Sequence, residues 1–480
     1  MKRFISILML VLFLCACVPT PDEPLVLQKD QELMIQQGAA TLSPEQPYTP
    51  PEVPERYTYD FQEGSLSVHV DAPVTVLDDP LPIVRVHACG YDQETVKRLF
   101  ALLADGDTLM TSPQMKVTTK EEYEIAIQLA MQSLETGSYR DSDLTEEEWK
   151  ASIERLKEAY NAAPFAGDLP EPTVADGTFY PNWVRDLQYD CADARSKNRI
   201  FRIHSAEDAT VSPVFSYKNL RSPAYTMCNA REVLADTELP ETIRMTYGEA
   251  ILEVNALLEA TGEPFQIMHV YVIDDEQKGY VDGIIKEASN YAFAVQCQRT
   301  YGKLPIAQDV ASAWVGSELY ARPWKQESLW IILDRDGFVS FDWNDPIKTE
   351  KTVAETTNLI PFSQIQEIAE KMLCVRYLQY TDPKNAGIER IEIELNVSHV
   401  DLELMRVREQ DNTEGKQGLL IPAWVFYGTI VETCYNIDGS SSMTYSHYGL
   451  NGGNAYYEGD AIVLCINAID GSIIDPMLGY

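Results

Sequence analysis

The stretch from Leu359 to Tyr480 constrains the fold most, because only one kind of packing satisfies its apolar pattern. Ile391-Glu-Ile-Glu-Leu-Asn-Val397 alternates strictly, as a half-buried strand must. Gly418 to Val431 and Gly459 to Ile474 are apolar on both faces, as covered central strands are. Ahead of them, Pro361 and a capping box, Ser363-x-x-Gln366, announce a helix. Its apolar stripe is Phe362, Ile365, Ile368, Ala369, Met372 and Leu373. The chain closes on two strand pieces around Asp470-Gly471. One helix across a curled sheet is a packing unit and names no chemistry.

The N-terminus carries an address. Met1-Lys2-Arg3 is basic, and Phe4 to Leu14 is an apolar run of eleven residues. That is too short for a bilayer, which needs about 20, and suits a secretory signal. Leu14-Cys15-Ala16-Cys17 has the form of a lipobox and resembles the signal of bacterial lipoproteins. The resemblance implies cleavage before Cys17, a lipid on its thiol, and retention on the outer face of the cell membrane. Residues 17–60 read as a lipidated linker. Pro19, Pro21, Pro24, Pro44, Pro47, Pro50, Pro51 and Pro54 leave Val18 to Arg56 unable to build a core, so a disordered tether is expected. A short helix fits within Leu25 to Gln37. No later run reaches 18 consecutive apolar residues.

The middle of the chain alternates strands and helices. Leu66–Val76 and Ile83–Ala88 read as strands. Asp92 caps a helix, Thr118 or Thr119 starts another through Leu134, and Thr145-x-x-Glu148 caps a third. Gly167 to Asn182 reads as a loop; Ile200–His204 and Val211–Tyr217 are strand-like. A helix from Met245 to Thr261 precedes strands at Phe265–Ile273, Tyr291–Arg299, Leu329–Leu333 and Phe338–Trp343. The fold class is α+β, with antiparallel sheets each packed with helices. Helix, then strands, occurs here and again after Pro361. The expected domains are therefore an α+β domain over 61–240 and helix-plus-sheet units over 241–358 and 359–480, in series.

Composition narrows function. Loss of Lys2 and Arg3 with the signal takes the formal charge from −36 to −38. Such a body repels phosphate, which excludes a nucleic-acid partner. Of nine cysteines, Cys15 leaves with the signal and Cys17 takes the lipid. None of the rest forms a C-x-x-C, and most read as small buried residues. Cys434 and Cys465 fall on strands of one sheet, where a cross-strand disulfide is conceivable.

Candidate chemistry is thin. Gly-x-Ser-x-Gly and His-Glu-x-x-His are absent. Gly302-Lys303 lacks the rest of a phosphate loop. His69 and His87 fall on neighbouring expected strands, where a metal pair competes with ordinary strand histidines, and His399 reads as a core-edge residue. Asp334-x-Asp336-Gly337 is half a calcium loop and a complete hairpin turn; Asp438-Gly439 reads as a turn too. Trp314, Trp324, Trp330, Trp343 and Trp424 supply either core packing or a stacking surface, with packing favoured. No catalytic, cofactor-binding or metal residue is nominated, and Cys17 is the one site residue.

Four segments carry a family resemblance: Tyr291–Arg299 leading to Gly302–Pro305, Ser328–Gly337, Leu420–Gly428 and Asn467–Ile474. They resemble an uncharacterised lipoprotein family of clostridia-like Gram-positive bacteria, classed as a domain of unknown function. The C-terminal half is also similar to YycI and YycH regulators and to PepSY-like domains. These families hand over no catalytic residues. The lipobox and tether, the two helix-on-sheet units and the missing catalytic constellation point to a non-enzymatic surface lipoprotein that binds an envelope protein, peptide or glycan, without a cofactor. A secreted carboxylate-type hydrolase acting on an envelope or dietary polymer is the alternative; the 74 acidic residues allow a pair to be drawn almost anywhere.

Lipidation makes a direct prediction. Cys17→Ser abolishes incorporation of labelled palmitate and moves the protein from the membrane pellet to the soluble fraction. Unchanged labelling in that variant would refute the lipobox.

Overall fold

The computed structural model describes residues 31–39, 48–111, 118–137, 145–168, 173–184, 187–206, 212–240, 243–275, 290–308, 326–378, 381, 387–409, 416–445 and 461–476. Cys17 and the lipobox lie outside them. The fold is mixed α+β, mostly sheet with six helices among the described residues. In chain order it begins with α1 (Gln31–Gly38), β1 (Arg56–Glu63), β2 (Leu66–Thr75), β3 (Ile83–Ala88) and α2 (Gln93–Ala104). Next come β4 (Met110–Thr111), α3 (Lys120–Thr136), α4 (Glu146–Ala162), β5 (Tyr180–Val184), β6 (Leu187–Cys191) and β7 (Ala194–Arg195). Then follow β8 (Arg199–Ser205), β9 (Val214–Asn219), β10 (Thr226–Glu232), α5 (Tyr247–Thr261), β11 (Phe265–Asp274), β12 (Tyr291–Tyr301) and β13 (Leu304–Pro305). The chain continues through β14 (Ser328–Asp334), β15 (Gly337–Asn344) and β16 (Ile347–Ala354). It ends with α6 (Phe362–Leu378), β17 (Ile388–Arg408), β18 (Gln417–Asn436), β19 (Ser441–Tyr445) and β20 (Ala461–Asn467).

These elements form two sheets. The first has eight strands in the order β1-β2-β17-β18-β3-β16, with β19 and β20 also on β18. The second has twelve, running β10-β11-β12-β14-β15-β9-β8-β6-β5, with β13 on β12 and β7 joining β8 to β4. All pairings are antiparallel except β2 with β17. The second sheet is therefore an insertion between β3 and β16, both of which belong to the first. The bodies are nested, and the boundaries 61–240, 241–358 and 359–480 cut across them. The reason is that helix and strand periodicities mark elements locally, whereas strand partners far apart in sequence, such as Val68 and Leu395, leave no local trace.

Each sheet buries one face under helices. On the first, Phe362, Ile365, Ala369 and Leu373 of α6 pack over Trp424, Phe426 and Leu395. Phe362 meets Trp424 edge-on at 4.7 Å between centroids, and Tyr377 Oη donates to Val463 O at 2.8 Å. On the second, α2 and α5 cover Phe201, Phe215, Phe293, Ile331 and Phe341. The caps at Asp92, Thr119 and Thr145 form as their sequences require. Two helix starts differ. Thr246 with Glu249 makes a capping box, so α5 begins at Tyr247 rather than Met245. In α6 the carbonyl of Pro361 already accepts from Gln364 N, which puts Ser363 inside the first turn, not at the cap. Strand β5 starts at Tyr180, within the expected loop.

The expected tether needs two corrections. First, β1 begins at Arg56: Tyr57, Tyr59 and Phe61 alternate with polar residues, and Tyr57 is in the core. Second, α1 docks on the far face of the first sheet. Met34 is 7% exposed among Ile421, Ile469 and Ile474, and Gln31 Nε2 donates to Arg408 O at 2.5 Å. Asn358 N donates to Gly38 O at 2.7 Å, beside a bridge from Ala39 to Thr357. The helix itself overlaps the short one expected within Leu25 to Gln37; what the proline-rich flanks hid is that it docks on the sheet.

Met34→Asp strands a charge on that face and lowers stability by about 2–3 kcal/mol in urea denaturation. Leu33→Asp, at a neighbouring position 48% exposed, changes it by less than about 0.5 kcal/mol.

Candidate functional site at the seam between the sheets

The chain crosses between the sheets twice, and the crossings touch. Cys89 to Asp92 leads from β3 into α2, and Asp345-Pro346 leads from β15 into β16. Cys89 N donates to Pro346 O at 3.0 Å. Asp345 turns the corner with φ 50°, in the left-handed region that aspartate tolerates better than most residues. A third link comes from the hairpin of β12 and β13. β2 leaves the edge of β17 after pairing Thr75 with Asp401. Ile306 takes the vacated edge opposite Leu404, and Ala307 N donates to Leu404 O at 2.8 Å.

At this seam two strands place polar side chains where their neighbours are apolar. On β17 a bulge between Val397 and His399 resets the alternation. Val400, Leu402 and Leu404 then face the α6 core, while Met405 and Val407 join the apolar cluster of the opposite face, where Asp401 and Glu403 fall by the same alternation. Glu403 is 6% exposed and accepts from Tyr427 Oη at 2.8 Å. Burial, with the charge of Asp401 adding to it, pushes its carboxyl up to about 7, against hydrogen bonds from Tyr427 and from Gln298 of the other sheet. Burial raises Asp401 as well, opposed by His399, by Thr75 and by His269 of β11. His399 Nε2 is 3.7 Å from Asp401, and its ring stacks on Tyr427 at 4.6 Å. Burial, then the charge of Glu403, holds the Tyr427 phenol well above its usual range.

Further along, Arg299 of β12 makes a two-armed pair with Glu327, including Nη2 to Oε1 at 2.8 Å, and a third bond to Glu263. Phe265 lies beneath its guanidinium at 5.0 Å, and Trp343 Nε1 donates to Glu327 Oε1 at 2.8 Å. Burial works against the charge of Arg299, but Glu327 and Glu263 outweigh it and hold its proton more firmly than usual. Arg406 of β17 is also enclosed; burial lowers it to about 10 despite the pull of Asp345 and Glu327. Charges from both sheets thus sit together out of water, where losing one partner strands the other.

A cavity of about 440 Å³ opens beside this group at the crossings. It is lined by His87, Cys89, Tyr91, Glu263, Arg299 and Trp343, with Lys348 among its other walls. Burial first, then Glu327, pushes the Cys89 thiol up to about 12, so it is not a thiolate at neutral pH and no nucleophile. Neither Asp401 nor Glu403 lines this cavity. Another cavity, of about 340 Å³, lies on the second sheet beside Tyr225, Tyr291 and Asp334.

The other candidates separate. His69 and His87 are not neighbours: β17 and β18 stand between their strands, and His69 Nδ1 is 2.9 Å from Asp60. Cys434 and Cys465 are not joined by a disulfide, and Cys465 sits opposite Val425, nine positions along β18 from Cys434. Asp334 to Gly337 is the hairpin turn between β14 and β15, and Gly439, with φ 85°, turns β18 into β19. Trp330, Trp343 and Trp424 are at most 5% exposed, as packing residues are. Trp314 and Trp324 lie outside the described residues. Among those described, no three His, Cys, Asp or Glu residues are grouped to hold a metal ion. The seam residues were signalled in the sequence only as charges inside apolar strands, Glu403 and Arg406 in one and Arg299 ending another.

Glu403 gives the protein a pH dependence whose sign is fixed. Its affinity for a proton is higher folded than unfolded, so its contribution is full below about pH 4.5 and is lost as pH rises through about 7. The loss amounts to about 3 kcal/mol. Glu403→Gln cannot ionise, so its stability measured by urea denaturation stays flatter across that window than the wild type's; an identical slope would remove Glu403 from the account.

No family model matches the chain, and no curated protein matches it. Among solved structures it is similar to the crystal structure of an uncharacterized protein from Eubacterium rectale ATCC 33656, with 11% identity, 88% of this chain and 94% of that one covered, and a TM-score of 0.41.

Proposed function

We propose that this protein is a lipid-anchored binding or regulatory module on the outer face of the cell membrane, without catalytic activity. Its ligand site is the cavity at the crossings, and the ligand is an envelope peptide or glycan. We read the helix-on-sheet body that holds the C-terminal half as PepSY-like and YycI-like. The observation that carries the proposal is that both sheets and both crossings wall one cavity of about 440 Å³, of ligand-pocket size. A ligand held there touches Lys348 of the first sheet and Arg299 and Trp343 of the second. Its occupancy therefore reports on, and biases, how the sheets sit.

Trp343 is a built-in reporter. Titrating residues 18–480 with cell-wall muropeptides produces a saturable change in tryptophan emission. Cys89→Trp, which fills the cavity, weakens that binding by about tenfold or more. Muropeptide binding undiminished in the filled variant would remove the cavity from the reading.

The hydrolase alternative draws on one observation, the pair Asp401 and Glu403 with raised proton affinity on one strand face. Release of reducing ends from wall glycan, lost in Glu403→Gln while the fold persists, would favour it over binding alone.

A further inference from the structure

Helices α3 and α4 form an arm that the core does not use. They are inserted between β4 and Thr173, where Thr111 N donates to Thr173 O at 2.7 Å and closes the base. Both helices carry complete capping boxes, Thr119 with Glu122 and Thr145 with Glu148. The base is pinned further. Lys120 N donates to Pro164 O at 2.9 Å, Ala166 N donates to the Glu121 carboxylate at 2.9 Å, and the Lys120 ammonium lies 4.5 Å over Phe165. The helices pack on each other, with Trp149 Nε1 donating to Ala130 O at 3.0 Å. Yet α4 buries only Ile153, and α3 buries nothing.

The outer stripe of α3 carries apolar residues into solvent. Ile125 and Leu129, one turn apart, are 58% and 60% exposed. Both helices of the arm are acidic. α3 has four glutamates against one lysine, and α4 has five against three basic residues. Charge decides what such a stripe accepts. A second copy would set acid against acid, and an anionic lipid surface would be repelled likewise. A cationic helix with its own apolar stripe meets both the apolar anchors and the acid rim, the helix-against-helix mode of recognition.

We infer that the α3–α4 arm is a docking surface for a basic amphipathic helix of another protein, seated on Ile125 and Leu129 between the glutamates. This surface is separate from the cavity at the crossings, and neither reading depends on the other.

The probe is a synthetic leucine-lysine amphipathic peptide of about 18 residues, five helical turns. It is titrated into residues 18–480 by fluorescence anisotropy, with peptide helicity followed by circular dichroism. Wild type binds saturably and the peptide gains helix. I125E/L129E binds about tenfold or more weakly although it is more acidic, and I125A/L129A falls between. Both positions are over half exposed, so each variant keeps the wild-type dichroism. Equal or tighter binding to I125E/L129E would mean plain attraction to a polyanion and overturn the proposal. So would the absence of saturable binding, or sedimentation showing a dimer that I125E/L129E dissolves.

Discussion

The long pairing of β17 with β18 is the constraint from which the remaining architecture follows. The two strands run 21 and 20 residues and stay in register through two irregularities. At Gly428 a Cβ would lie 2.0 Å from Asn396 O, so only glycine lets the strands meet there. Along its free side β18 then pairs with β3, β20 and β19 in turn. β17 does the same with β2 and, beyond it, with Ile306. The N-terminal strands, the C-terminal strand and the tip of the inserted sheet all attach to this one ribbon.

The seam follows from that geometry. Where two sheets meet along a strand buried on both faces, polar residues are costly unless paired. Glu403 is matched by Tyr427 and Gln298, and Arg299 by Glu327 and Glu263. A hydrophobic seam of the same shape would be as stable or more so. What the charges add is register: Arg299 reaches its carboxylates only when β12, β14 and the turn after α5 are in place. Of these groups it is Glu403, whose proton affinity burial raises, that links protonation to packing.

Local signals in the sequence were dependable where the physics is local. Asp92, Thr119 and Thr145 cap helices because their side chains reach backbone amides three residues on. Asp334-Arg-Asp-Gly337 turns because Gly337 accepts φ 110°. Ile391 to Val397 is a strand because nothing else places every second side chain in a core. The same rule made Tyr57, Tyr59 and Phe61 a readable strand, obscured by the prolines before it. The histidine and cysteine pairs failed for the opposite reason. β17 and β18 entered between the strands of the two histidines, and β20 pairs with β18 in a register that leaves Cys465 opposite Val425, far from Cys434.

By itself, the sequence determined most of the helices and strands, the caps at Asp92, Thr119 and Thr145, and the hairpin turns, since each depends on residues within a turn or two of one another. Tertiary structure alone decided that one sheet is inserted in the other, that α1 belongs to the body, and that Arg299, Glu263, Cys89 and Trp343 surround one cavity. Those facts depend on which strands pair across hundreds of residues, a choice made by the burial of whole faces and not by any stretch of the chain.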